Sequence, residues 1–378
     1  MKSMLEMHTP TSVLSKNHYT SQLIGIQYLR GIAAALVVLN HVTAMARLPK
    51  YLNMDILSGW FVAGAVGVEL FFVISGFIIC YVSLDKKNLT PRISSSDFFL
   101  RRFVRIVPFM WICIIGYAVM KLVIRGSFPI DSFVNAMVLF PVGSLQPNVI
   151  WTLRHEFLFY SVFCLFAIYH HKQWKGLWLW FLSPFLWYTV NIDGLMEPSF
   201  LKTLCRFLFS RVNLLFGIGL VVAILVMKGH YKFTLKTPHS FAISLLSVVP
   251  LFFVAQFTGI GESLKFPQVI SSGIVSAGVV LIGISLQASK PLTKIQQLGL
   301  LLGDASYSIY LTHTAIISAM FILWSKIQAS PNPILVLLIG FVISCSGGIA
   351  IHFLVEKPLI KFVQSRVEVL QTKKRKLA

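Results

Sequence analysis

Residues 28–41, YLRGIAAALVVLNH, decide the fold. Arg30 is followed by ten residues without a charged side chain and then by His41, inside a run apolar enough to cross a bilayer. On an α-helix the step from Arg30 to His41 rises roughly 16 Å and turns only about 20° past three full turns. The two basic groups therefore share one face, Arg30 near a membrane surface and His41 beyond mid-depth. Each is costly there unless it finds a partner or water, which marks both as candidates for function.

Outward from that run the pattern repeats. The 378 residues are 56% hydrophobic and 12% charged, about half the charged fraction of a soluble globule. Apolar runs fall at approximately 24–45, 60–83, 103–124, 149–169, 175–191, 211–227, 240–259, 270–288, 304–325 and 333–354. The expected fold is all-α, a polytopic transmembrane helical bundle of about ten spanning helices with both termini cytoplasmic. A short cytoplasmic segment (1–22) precedes a transmembrane domain (23–358) and a basic cytoplasmic tail (359–378). The first run is not a cleaved signal peptide, because no small-residue cleavage pattern follows it and further spans do. Cys80, Cys113, Cys164, Cys205 and Cys345 lie mostly within apolar runs without CxxC spacing. They read as buried thiols, not as disulfide or metal ligands.

A net charge of +20 would suggest nucleic acid in a soluble chain. Here Lys and Arg concentrate in segments 84–102, 170–174, 228–239 and 289–303 and in the tail ending KKRK, whereas 46–59, 125–148, 192–210, 260–269 and 326–332 are poorer for their length. That alternation is the positive-inside pattern. It assigns most of the charge to topology and contact with anionic membrane lipids, and excludes a nucleic-acid enzyme.

The remaining ionisable groups are few. Only Glu69 and Glu156 fall clearly inside apolar runs, with Asp304 at an edge. Two buried carboxylates and one buried imidazole have a physical reason to converge, either as a polar knot or as a working site. Arg154 and His155 could instead neutralise a carboxylate. Gly64, Gly67 and Gly76 suit close helix contact in the second run. Arg101, Arg102 and Arg105, with Pro108 one turn later, stand at the inner end of the third run. They anchor to headgroups or clamp an anion, since guanidinium forks fit phosphate oxygens. Tyr307, Tyr310 and His313, three apart, form a stripe that either packs or lines a ligand. Residues 128–148, broken by Pro129, Pro141, Gly143 and Pro147, suit a re-entrant or outward-lying segment. Glu356, Lys357 and Pro358 close the last run.

The blocks LRGIAAALVVLNH, GVELFFVISGF, RRFVRIVP, WTLRHEFLFY, GDASYSIYLTH and VEKP, in that order from residue 28 to 358, resemble the acyltransferase-3 family. Its members are bacterial integral-membrane O-acyltransferases of lipopolysaccharide O-antigen, exopolysaccharides and related glycans. The resemblance implies a multi-pass protein of the bacterial cytoplasmic (inner) membrane. Its expected reaction moves an acyl group, commonly acetyl, from cytoplasmic acyl-CoA to a hydroxyl of a glycan or lipid-linked glycan, without a metal. In that family the Arg-and-His motif is needed for activity, and the position of Arg102 and Arg105 is associated with CoA.

It further implies CoA phosphates held by Arg102 and Arg105 with Arg30 and Arg101, and His41 as general base or proton relay. Glu69 or Glu156 would stabilise the imidazole, Glu69 being favoured for direct pairing because the first two spans are adjacent. Glu156 could instead bind sugar hydroxyls. Asn40, Tyr310 and His313 are candidate oxyanion donors, and Trp151, Arg154 and Tyr307 candidate acceptor contacts. Two departures stand out: Glu69 where Asp is commoner, and WTLRHE in place of Trp-Ser-Leu-x-x-Glu. The hydrolase-like domain fused to some members is not seen, so transfer is expected at the bundle. The rival expectation is a transporter or channel for an anion or proton, which would call for two related halves; no such repeat is present in the sequence.

Overall fold

The computed structural model describes residues 21–125, 129–235, 239–258, 266–286, 292–326 and 332–377. Its first half holds α1 (Ser21–Ala46), α2 (Val66–Ser83), α3 (Ser95–Arg125), α4 (Ile130–Met137), α5 (Ile150–Phe163), α6 (Trp174–Thr189), α7 (Ile192–Leu195) and α8 (Phe200–Leu208). The second holds α9 (Asn213–Met227), α10 (Ser240–Thr258), α11 (Phe266–Ser285), α12 (Lys294–Asp304), α13 (Ser306–Lys326), α14 (Pro333–Ile351) and α15 (Lys357–Leu377). A 3-10 segment, Leu57–Ala65, leads into α2; π-helical turns at Cys164–Tyr169 and His352–Glu356 extend α5 and join α14 to α15. Among the described residues extended pairing is confined to two isolated bridges, Leu84 with Pro91 and Leu235 with Leu286.

Each of the ten expected spans carries a helix. Among the described residues, seven apolar helical stretches are long enough to cross a membrane: Leu23–Ala46, Leu57–Ser83, Ser95–Val123, Phe200–Met227, Pro267–Ser285, Lys294–Lys326 and Pro333–Val369. The protein is an all-α, multi-pass membrane bundle. The apolar character of α5 is interrupted by Arg154, His155 and Glu156, α6 has 16 residues with Pro184 inside, and the apolar part of α10 is short, Ala242–Val254.

Several connecting segments are more helical than their polarity suggests. In the 289–303 segment, α12 starts at a capping box in which Thr293 Oγ1 accepts from the Gln296 N–H and the Gln296 side chain accepts from the Thr293 N–H. Segment 192–210 folds into α7 and α8, and the basic tail continues as α15. Residues 130–137 make one short helix before Pro141 and Gly143, at φ +88°, stop it. The lead-in before residue 21, Lys236 and Lys290 lie outside the described residues.

α1 packs against α2, α10, α11, α12, α13 and α14, so the stretch read first runs through the middle of the bundle. Small residues permit this. A Cβ on Gly67 would lie 2.4 Å from Ala33 O, and one on Gly76 2.2 Å from Phe216 O. Backbones that close gain dispersion contacts a larger side chain would forbid. Phenylalanines fill the space between α2, α5 and α9; Phe159 stacks on Phe216 with centroids 4.5 Å apart. All five cysteines are free thiols.

Candidate active site

Two chambers open along α1, one at each end of the Arg30 to His41 step. The first, about 640 Å³, is lined by Arg30, by Arg101, Arg102 and Arg105 of α3, by Glu156 and Tyr160 of α5, and by Lys86 and Arg92 of the α2–α3 loop. The second, about 670 Å³, holds Asn40 and His41 of α1, Glu69, Trp151, and Lys50, Tyr51, Tyr117, Gln146 and Asn148. Val68, Phe72 and Tyr310 line both and form the partition. Tyr310 is fixed there, its hydroxyl donating to Val149 O at 3.3 Å and accepting from Thr152 Oγ1 at 2.9 Å.

The first chamber is a cation cage. α3 begins with Ser94 Oγ accepting the Asp97 N–H at 3.2 Å, and two turns later its arginines reach the chamber. Arg102 is buried, 7% exposed, and its Nε has no acceptor. A buried guanidinium N–H without an acceptor is costly, and an anion oxygen is what it lacks. Arg30 donates to Gln27 Oε1 at 3.3 Å, and Asp304, Glu356 and Glu156 lie within electrostatic reach of it. The α2–α3 loop is braced at Asp85, whose carboxylate accepts the Lys87 N–H at 2.9 Å. That bond holds the Asp85 carboxyl below its usual range, helped by the Asn88 N–H and Arg92.

The second chamber holds the imidazole. His41 Nδ1 is 2.9 Å from Val37 O; a carbonyl only accepts, so Nδ1 carries the proton and Nε2 keeps its lone pair. His313 packs edge-on behind it, ring centroids 4.8 Å apart, with its own Nδ1 donating to Ile309 O at 3.1 Å. Glu69, 2% exposed, lines the same chamber, but no hydrogen bond of ordinary geometry joins either oxygen to a neighbour, Ser272 included.

The expected cluster is thus divided. Asn40, His41, Glu69 and Trp151 share one chamber; Arg30, Arg101, Arg102, Arg105 and Tyr307 share the other; Tyr310 stands between. Four of the expected contacts are not made in this structure. Glu156 does not join His41: its Oε1 accepts from Ser75 Oγ at 3.1 Å and from Tyr160 OH in the arginine chamber. Arg154 reaches neither chamber, because its Nη1 is engaged by the carbonyls of Phe140 and Gly143 at 3.2 and 3.3 Å. His313 is completely buried behind His41 and off the chamber wall. Direct pairing of Glu69 with His41 is also absent; the Val37 carbonyl orients the ring instead.

Lys86 and Arg92 carry a sequence signal, but one indistinguishable from positive-inside charge. Tyr117, Gln146 and Asn148 carry none, since ordinary loop and interface residues look the same. A Glu356 carboxylate accepting from Ser308 Oγ at 2.6 Å and His352 Nδ1 at 2.7 Å is also new; its i,i+4 spacing from His352 is its only signature.

Residues 23–353 match the sequence model of an acyltransferase domain. The chain is 30% identical over 329 residues to the exopolysaccharide production protein ExoZ of Rhizobium meliloti (strain 1021), covering 81% of this chain and 92% of that protein. It is 22% identical over 354 residues to the acyltransferase MdmB of Streptomyces mycarofaciens, covering 80% and 82%. A shorter match, 27% over 89 residues, is to the peptidoglycan O-acetyltransferase OatA of Listeria monocytogenes, covering 24% of this chain and 14% of that protein. No solved structure matches significantly.

Proposed function

The chain belongs to the acyltransferase-3 family and is an acyltransferase; from that premise we propose that it moves an acetyl group from acyl-CoA in the arginine chamber to a hydroxyl of a cell-surface glycan, or its lipid-linked precursor, in the His41 chamber. The observation that carries this reading is the pair of chambers meeting at Val68, Phe72 and Tyr310, with Arg30 and His41 of one helix in opposite chambers. A donor rich in phosphate suits the cage of Arg30, Arg101, Arg102 and Arg105, and the unsatisfied Arg102 Nε supports an anion there. The names of ExoZ and OatA support a polysaccharide acceptor, and the aromatic and amide lining around His41 suits sugar rings. The arginine chamber faces the cytoplasm of a bacterial inner membrane, as the charge alternation supports.

Bound donor supplies an activated thioester carbonyl at the partition. His41 Nε2 takes the acceptor hydroxyl's proton as its oxygen bonds the acyl carbon and the carbon–sulfur bond breaks; the proton then leaves with the thiol. Glu69, in the same chamber, stabilises the protonated imidazole through space, and Asn40 offers an amide donor to the oxygen that gains charge. The family match and the relatives' names give the transporter reading no support.

The test is transfer of radiolabelled acetyl from acetyl-CoA into the glycan fraction of membranes carrying the chain. Incorporation is expected, followed by its loss in His41→Ala. A wild-type chain that labels no glycan, with acetyl-CoA intact, overturns the reading.

A further inference from the structure

Beside the arginine chamber, and sharing Leu23 and Tyr81 with it, lies a smaller cavity of about 230 Å³. Four of its lining residues are aromatic: Phe77 and Tyr81 of α2, and Tyr231 and Phe233 of the chain between α9 and α10. The walls are set before any ligand arrives. Phe77 and Tyr81 are stacked, centroids 5.5 Å and planes 18° apart. Tyr231 OH donates to Leu281 O at 3.1 Å, and the extended chain after it is held by the Leu235 N–H on Ser285 O at 2.7 Å. Phe233 keeps 60% of its surface exposed at the rim.

Charge distinguishes this pocket from an ordinary interfacial aromatic cluster. Lys86 Nζ lies 3.0 Å from Tyr81 OH and 4.9 Å from its ring centroid, on the residue the two cavities share. Lys232 lines the pocket, and Arg92 lines the chamber beyond. A flat π-rich group therefore meets aromatic faces on one side of Lys86, and its negative charges meet cations on the other. The volume accommodates one bicyclic base.

We propose that this aromatic pocket binds the adenine base of the acyl-CoA donor, with Lys86 at the junction taking phosphate as the chain of the donor turns into the arginine chamber. This rests on the acyl-CoA reading above. Base stacking on aromatic side chains is worth on the order of ten- to a hundredfold in affinity. A donor lacking the nucleotide forfeits that factor.

The experiment compares two donors on the purified full-length chain: acetyl-CoA and acetyl-4′-phosphopantetheine, which keeps the thioester arm and lacks the nucleotide. Wild type is expected to prefer acetyl-CoA by about tenfold or more in kcat/KM, with adenosine 3′,5′-bisphosphate competing against it. In Phe233→Ala and in Tyr81→Leu the preference falls toward one and the competition weakens, the loss arising from acetyl-CoA. Phe233, exposed at the rim, keeps the test decisive where the Tyr81 variant fails to fold. A Phe233→Ala chain that retains the wild-type preference, or a wild type on which the bisphosphate does not compete, overturns the adenine site while leaving the acyl-CoA reading standing. A wild type that uses neither donor overturns both.

Discussion

The His41 ring is oriented by its own helix. Its Nδ1 proton is spent on the Val37 carbonyl one turn back, which leaves Nε2 as the free base in the chamber. His41→Ala is expected to lower transfer by about 10²- to 10⁴-fold, the usual contribution of a positioned base, with acyl-CoA affinity and unfolding temperature at wild-type levels. Near-native transfer by the purified variant would remove His41 from the chemistry. On the donor side, Arg102→Ala combined with Arg105→Ala is expected to weaken CoA binding about tenfold or more, since hydrogen bonds to charged groups are each worth about 1.5–3 kcal/mol. Titration of CoA measures it; unchanged affinity would return these arginines to lipid anchoring. Arg30 and His41 were legible in sequence because a charged or titratable group in an apolar run is costly enough to need a reason. Arg154 was equally conspicuous and misleading. Its partners are the carbonyls of Phe140 and Gly143, 14 and 11 residues away, and backbone acceptors leave no mark in a sequence. Glu156 faces the arginine chamber and not His41, because an apolar run shows which residues are costly to bury and not the direction a helix face is turned.

Between elements, approach distance decides what the bundle can hold. α2 and α9 meet at Gly219, where an added Cβ would sit 2.0 Å from Val73 O, a backbone atom that cannot step aside. Gly219→Ala is expected to cost about 1–3 kcal/mol by overpacking and to lower the unfolding temperature in detergent. Gly278 of α11 has nothing within 4 Å of its would-be Cβ, so Gly278→Ala should be neutral or stabilising, by up to about 1 kcal/mol, through reduced backbone freedom. Equal losses in the two variants would mean that glycine acts here through flexibility and not through contact. The sequence located the helices well because apolar length is a strong signal. It understated α8, α12 and α15, whose polar residues read as loop although amphipathic helices also carry them. The capping box at Thr293 was the available signal for α12.

At the scale of the whole molecule, the arginine chamber and the His41 chamber are separated by three side chains, Val68, Phe72 and Tyr310, of which Phe72 is the larger of the two apolar ones. It is 3% exposed and packs against Trp151 and Phe216, centroids 5.9 and 4.8 Å away. Under the proposed acyl transfer, a partition of this kind would keep water in the His41 chamber from reaching the thioester until a hydroxyl is in place beside His41. In Phe72→Ala, water is expected to take the acceptor's part. Its oxygen bonds the acyl carbon, the carbon–sulfur bond breaks, and free CoA thiol and carboxylic acid are released. Thiol release without acceptor should then rise several-fold over wild type while glycan transfer falls. Because emptying a buried Phe site costs about 3–5 kcal/mol, Phe72→Leu provides the milder opening, with a smaller rise in the same direction. Phe72→Trp, filling the partition, should lower transfer and thiol release together while CoA titrates as in wild type. Thiol release that stays at the wild-type level in both folded opening variants would mean that the two chambers communicate by a route other than Phe72.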